Sequence, residues 1–328
     1  MMCNDKPIGI CKGISIRHIL NHTVKEEPKT TCKDSVCRIS LTTTTFVTCK
    51  HCGSKNVVKN GRKGQTQLYL CRDCGHTFVD NAALPGMRFP PEQIAAAIGM
   101  FYGGMSIDAI RRQMQSIYHV YPSDSTVYDW IIKFTKIAVK EAIITDIKVG
   151  DIWVADETVL KIDEGKDVWF WDIIDDKTRF LLASHISSTR TIVDAKILMN
   201  LAAQRTGKAP KVVMTDKLAA YFDGIELTFG AATKHIASKG FKVEPNTNLI
   251  ERFHGTLKAR TKVMRGLKNK ETAKIIMDGW LVHYNFFRPH ESLGDKTPAE
   301  VAKSTFKYRG WKDVVIGNHP MVGTRVSH

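Results

Sequence analysis

Two short apolar runs, Trp153-Val154-Ala155 and Val212-Val213-Met214-Thr215, each end in an aspartate, Asp156 and Asp216. Asp216 follows Asp156 by 60 residues, and Glu251 follows Asp216 by 35. Short apolar runs beside turn signals predict buried strands. A carboxylate at the end of a buried strand needs a partner, because burying it unpaired is costly. Three carboxylates brought together repel one another unless a cation sits among them. An all-oxygen donor set of this kind suits Mg²⁺ or Mn²⁺ rather than zinc. Asn248 stands three residues before Glu251 at capping-box spacing, so Asn248 is expected to cap a helix with Glu251 in its first turn. Capping alone would account for Glu251, and only the two aspartates give it a second role.

A second set of residues points to a different metal. Cys49-Lys50-His51-Cys52 and Cys71-Arg72-Asp73-Cys74 are separated by eighteen residues. Two such pairs at this distance present four thiolates, which close a tetrahedral zinc site. Gly53 and Gly75 follow the pairs, as the turns require, and Gln67–Leu70 and Thr77–Val79 are expected strands. One zinc held this way is structural, because no coordination position stays open. His51 and His76 are expected to be bystanders. Residues 46–80 are therefore predicted to be a zinc ribbon, either a DNA-end-binding module or a small domain that needs metal to fold. Residues 1–45 are polar and Thr-rich, and their cysteines Cys3, Cys11, Cys32 and Cys37 are expected to be free thiols. That segment is predicted to be partly disordered or a short appended element.

The chain has 328 residues, 43% of them hydrophobic, enough for two or three domains with a sizeable core. Net charge is +15, which predicts a polyanionic partner. The charge gathers after Glu251, where Arg252, Lys258, Arg260, Lys262, Arg265, Lys268, Lys270 and Lys274 face Glu271 alone. That run is expected to contact phosphates. No stretch has the ~18 apolar residues that would cross a membrane, and the N-terminus lacks the apolar core of a signal peptide. The cysteine pattern implies a reducing cytosol.

Between these sets the chain is organised in order. Pro85, Gly86, Pro90 and Pro91 mark a linker. Residues 88–140 then show three helical patterns. One opens at Pro91 and stops at Gly103-Gly104, one is capped by Ser106, and one by Ser123 or Ser125. This layout fits a helix-turn-helix, with Arg111, Arg112, Thr126 and Tyr128 as candidate DNA contacts. A domain over 148–303 follows, with strands expected at 152–155, 166–174 and 179–186, a helix over 191–205 and a strand over 211–215. Asp175-Asp176-Lys177 is a turn between strands. Glu157 is expected to point away from Asp156, because neighbouring residues of a strand face opposite sides. Residues 304–328 are expected to form a basic, mobile tail.

Asp156, Asp216 and Glu251 resemble the DDE triad of insertion-sequence transposases, whose catalytic domain is RNase H-like and whose relatives include the retroviral integrases. Thr215-Asp216-Lys217 with Tyr221 resembles the segment around the family's second Asp, and Asn248-x-x-Glu251-Arg252-x-His254-Gly255 its catalytic helix. Ser125-Thr126-Val127-Tyr128-Asp129-Trp130 resembles the start of the family's recognition helix. Tyr284-Asn285-x-x-Arg288-Pro289-His290, followed by Thr297-Pro298-x-Glu300, resembles the end of its catalytic domain. The resemblance spans roughly residues 90–303.

It implies a mixed-sheet α/β fold and two Mg²⁺ or Mn²⁺ ions on the three carboxylates. It further implies in-line DNA cleavage and strand transfer with no covalent enzyme intermediate. Lys258, two turns after Glu251, is expected on DNA phosphate. His254 is expected either to orient a phosphate or water or to lie on the surface. The implied partner is double-stranded DNA, the terminal inverted repeats of an element and a target. The implied assembly is a homodimer or higher oligomer in a prokaryotic cytoplasm, associated with the nucleoid. Two other readings are a non-catalytic DNA-binding regulator built from the ribbon and the helix-turn-helix, and an RNase H-type nuclease.

Overall fold

The computed structural model describes residues 47–81, 83–162, 167–237, 248–262 and 269–317. The expectations for residues 1–45 lie outside these, as do Arg265 and Lys268 of the basic run. The chain divides into two compact units, one ending at Asp80 and the other starting at Asn81.

The first unit is a three-stranded antiparallel sheet of β1 (Val57–Lys63), β2 (Thr66–Cys71) and β3 (Thr77–Val79), in that order. The two expected strands fall within β2 and β3. β1 carries too many polar residues to announce itself. The buried hydrophobic residues are Cys49, Cys71 and Phe78, with Tyr69 stacked on Phe78 at 5.9 Å. A core this small leaves little apolar area to offset chain entropy, so the unit depends on its cysteines.

The second unit begins with α1 (Pro91–Tyr102), α2 (Ile107–Tyr118) and α3 (Asp124–Ile144). Ser106 and Ser123 cap α2 and α3 by accepting from Ala109 N–H and Thr126 N–H. α3 runs for 21 residues because Val127, Ile131, Phe134, Ala138 and Ala142 keep one face buried throughout. Its core is continuous with that of the sheet.

That sheet has five strands: β4 (Ile152–Lys161), β5 (Asp167–Asp175), β6 (Leu181–Ser187), β7 (Val212–Thr215) and β8 (Lys234–Ala237). Their order is β6-β5-β4-β7-β8. β4, β5 and β6 pair antiparallel, while β7 runs parallel to β4 and β8 parallel to β7. Trp153, Val154 and Ala155 on the central strand are fully buried, which explains their unbroken apolar run. α4 (Ile192–Thr206) and α5 (Ala219–Phe229) flank β7 in the chain, and α4 carries a capping box of Thr191 and Asp194. The two pack so closely that a Cβ on Gly224 would lie 2.7 Å from Ala195 Cβ. Then come α6 (Asn248–Lys262), α7 (Lys270–Val282), α8 (Pro298–Val301) and α9 (Trp311–Gly317). Three antiparallel strands, a helix, and two further parallel strands in this order make the α/β fold RNase H-like.

Two features near the end of the chain acquire a physical meaning. The Asn285 side chain accepts from Leu181 N–H at 2.8 Å and donates to its carbonyl at 2.9 Å, which ties the Tyr-Asn segment to the start of β6. Trp311, Val314 and Val315 are buried, and Lys312 pairs with Glu92 of α1 at 2.9 Å. The expectation of a mobile tail over 304–317 is therefore overturned, because apolar residues dock that stretch onto the helical core. Residues 318–328 lie outside the described ones.

Candidate active site and metal centres

Asp156 and Asp172 face each other across β4 and β5. Like charges directly opposite are destabilising, and His254 of α6 resolves the conflict. Its Nε2 lies 2.7 Å from Asp172 Oδ2 and its Nδ1 3.4 Å from Asp156 Oδ2. Asp172 is 0% and His254 6% exposed. Burial by itself would lower the imidazole. The Asp172 charge and the bonds to both aspartates outweigh it and hold His254 at about 10, an imidazolium at neutral pH. His254 is thus neither a surface residue nor free to orient a phosphate. Asp172 was missed from the sequence. The signal was there, as one acid inside the apolar run Val168–Ile174.

Asp216 follows β7 directly, beside the strand that carries Asp156. Its Oδ1 accepts from Leu218 N–H at 2.8 Å, which leaves Oδ2 facing Arg190 Nη2 at 3.9 Å. Asp156, Glu157 and Asp216 each offer a carboxylate oxygen within 4.8 Å of the others. The expectation that Glu157 would turn away fails here, because its side chain reaches around to Asp216. Arg190 Nε donates to Glu157 Oε1 at 2.8 Å, and Nη2 contacts the same oxygen. Burial pushes the Glu157 carboxyl up, and the Asp216 charge adds to this while Arg190 opposes it.

Glu251 is exposed in the first turn of α6 and does not enter that set. Asn248 is already helical, one position inside the expected cap. The structure thus brings Asp156 and Asp216 together, and it brings the helix of Glu251 onto Asp156 through His254.

The basic residues of α6 separate by face. Arg252, Lys258 and Lys262 are exposed, whereas Arg260 is 2% exposed. Its Cζ lies 4.1 Å from the Phe101 ring centroid. Arg260 is therefore absent from the exposed face that Arg252, Lys258 and Lys262 share, and the periodicity of α6 is the reason, since Phe253, Leu257 and Arg260 share the inward face. Arg111 is also withdrawn as a DNA contact. It donates to the Pro122 carbonyl at 2.8 Å, pairs with Asp108 and Asp124, and lies over the Tyr121 ring. These contacts fasten the α2–α3 turn. Arg112 is exposed, while Thr126 and Tyr128 are half-buried in the first turns of α3.

In the first unit, Cys49 Sγ lies 3.6 Å from Cys74 Sγ, and Cys52 Sγ 3.4 Å from Cys71 Sγ, with no disulfide among them. All four sulfurs fall within 4.8 Å of one another. His51 and His76 stack on each other at 4.3 Å.

A five-stranded mixed sheet with Asp156 on its central strand and Asp216 just after the neighbouring parallel strand is the frame of an RNase H-like fold. Residues 150–290 match the family model of the DDE domain of the IS240 type, so this part of the chain carries a DDE domain. Among solved structures it is similar to a chain of the simian T-cell lymphotropic virus intasome, a complex that includes PP2A regulatory subunit B56 gamma. The identity is 16% and the TM-score 0.38, over 48% of this chain and 55% of that one. It is similar to the HTLV-2 integrase catalytic core in complex with magnesium, at 16% identity and TM-score 0.38, over 48% and 99%. It is also similar to the BIV integrase catalytic core, at 14% identity and TM-score 0.36, over 47% and 94%. The chain thus matches about half the length of the intasome chain. No curated protein matches the sequence. Among the described residues, no helix is long and apolar enough to cross a membrane.

Proposed function

We propose that Asp156, Asp216 and Glu251 hold two Mg²⁺ or Mn²⁺ ions and that this site cuts element ends from DNA and joins them to a target. The observation that carries the reading is the approach of the Asp156 and Asp216 carboxylate oxygens within 4.8 Å, a set of hard oxygen donors. Bound there, the ions would activate water or a DNA 3′-hydroxyl and stabilise the leaving oxygen.

The chain's own residues prepare the site. Leu218 N–H fixes one oxygen of Asp216 and leaves the other for a ligand. His254 orients Asp156 and sets α6 against β4, with Glu251 one turn away. Arg190 occupies Glu157, so that carboxylate serves as a counter-charge and not as a third ligand. Lys258, with Arg252 and Lys262, presents positive charge on the exposed face that follows Glu251, where a DNA backbone would lie. The four cysteines hold one structural zinc. That ribbon and α1–α3, with Arg112, Thr126 and Tyr128, recognise the terminal repeats. The active form is a homodimer or higher oligomer that brings two ends together at the nucleoid of a prokaryotic cytoplasm.

The test is a labelled element end incubated with Mg²⁺ and target DNA. Wild type should yield nicked and joined products. Asp156→Asn, Asp216→Asn and Glu251→Gln should each abolish both and still bind DNA. A protein that binds ends but never joins them would be a regulator, and the proposal would fall.

A further inference from the structure

A cavity of about 400 Å³ opens inside the second unit between the end of α1, the middle of α6 and the end of α7. Arg260, Trp280, His283 and Arg288 are among its walls. Arg260 Nε, Nη1 and Nη2 are all buried without a hydrogen-bond partner among the described residues, and so are Trp280 Nε1 and His283 Nδ1. Guanidinium and indole groups can only donate. Leaving such donors buried and unmet is expensive, and more so for a charged group. Among the described residues, no carboxylate lines the cavity. The Phe101 ring satisfies the face of the Arg260 guanidinium but none of its N–H groups.

Unmet donors on Arg260 and Trp280, an unmet ring nitrogen on His283 and a second guanidinium at the same wall define the complement as a small acceptor-rich anion. We propose that this cavity is a binding site for a phosphate-class oxyanion, held by Arg260 and Arg288 with Trp280 and His283 as neutral donors. Nothing in the DDE chemistry calls for this site, which lies on the inward face of α6, away from the exposed Lys258. The phosphate could be supplied by a free or monoester phosphate or by DNA itself.

The experiment is thermal unfolding of the full chain titrated with inorganic phosphate, against chloride at matched ionic strength. Wild type should show a saturable rise in Tm, roughly 5 °C or more at 100 times Kd. Arg288→Gln, at the half-exposed wall, should weaken apparent phosphate affinity by about tenfold or more. Trp280→Phe should weaken it less, and Arg260→Gln should remove the response. If Arg260→Gln does not fold, Arg288→Gln and Trp280→Phe decide. Asp156→Asn should keep the full response, which separates this site from the catalytic one. A wild type without a saturable rise, or an Arg288→Gln response equal to wild type, overturns the proposal. Repeating the titration with a short duplex identifies the source. A 5′-phosphorylated duplex that abolishes the phosphate effect, where an unphosphorylated one does not, assigns the site to DNA ends. An unchanged effect with both assigns it to free or monoester phosphate.

Discussion

Asp172 Oδ2 accepts a hydrogen bond from His254 Nε2 at 2.7 Å, and neither residue has more than a trace of contact with solvent. The other Asp172 oxygen is buried with no partner among the described residues, so among these His254 carries the compensation of that carboxylate. Replacing His254 with Gln should cost about 3–5 kcal/mol in denaturant unfolding, the usual price of stranding one member of a buried pair. The Asp172→Asn/His254→Gln double variant should be clearly less unstable than the sum of its singles. Additive losses would show that the two side chains do not depend on each other.

Lys258 and Arg260 lie two residues apart on α6 and should behave oppositely. Lys258→Ala should lower the slope of log binding constant against log salt by about 0.9 with little change in stability. Arg260→Ala should destabilise the fold and leave the salt slope unchanged. Salt titrations of DNA binding beside melting curves check both halves, and a slope change with Arg260→Ala would place that side chain on DNA.

The two units should respond separately to loss of metal. Cys49→Ser/Cys71→Ser should release about one zinc per chain and unfold residues 47–80. The main melting transition of residues 81–317 should stay in place. Metal analysis with limited proteolysis reads this out, and full zinc retention would refute the ligand set.

His283 gives an acid-side prediction. Burial, reinforced by the Arg288 and Arg260 charges, pushes its pKa down from 6.5 to about 4. A depressed pKa contributes stability that is present above pH 6.5 and is lost as pH falls toward 4. His283→Phe should flatten the stability profile across that window by about 2 kcal/mol, allowing for the ring's partial solvent contact. Tm measured against pH, with phosphate absent, is the check.

Glu157 and Glu251 are distinguished by kinetics. Glu157→Gln keeps a hydrogen-bond acceptor for Arg190 and should retain joining at a reduced rate. Glu251→Gln should remove joining altogether. If the severities are reversed, Glu157 is the third ligand.

Much of this protein was legible in the order of its residues. The four cysteines announced a thiolate site because metal geometry demands tight pairs. Val212–Asp216 announced a strand ending in an acid, and Trp153–Ala155 announced the apolar start of β4, which runs on through Asp156 to Lys161 instead of stopping there. The caps at Ser106 and Ser123 stood at the expected positions, since a cap is a local hydrogen bond. What tertiary structure alone decided was which side of each element meets which neighbour. Arg260 counted as one more positive charge until the packing of α6 turned it onto Phe101. Glu157 turned toward Asp216 because Arg190, 33 residues later in the chain, draws its carboxylate there. Asp172 became part of the site only when strand register set it opposite Asp156 and helix placement brought His254 between them. Local propensities and spacings are written residue by residue, whereas the pairing of buried charges depends on contacts such as that between His254 and Asp172, 82 residues apart, and only the folded chain fixes those.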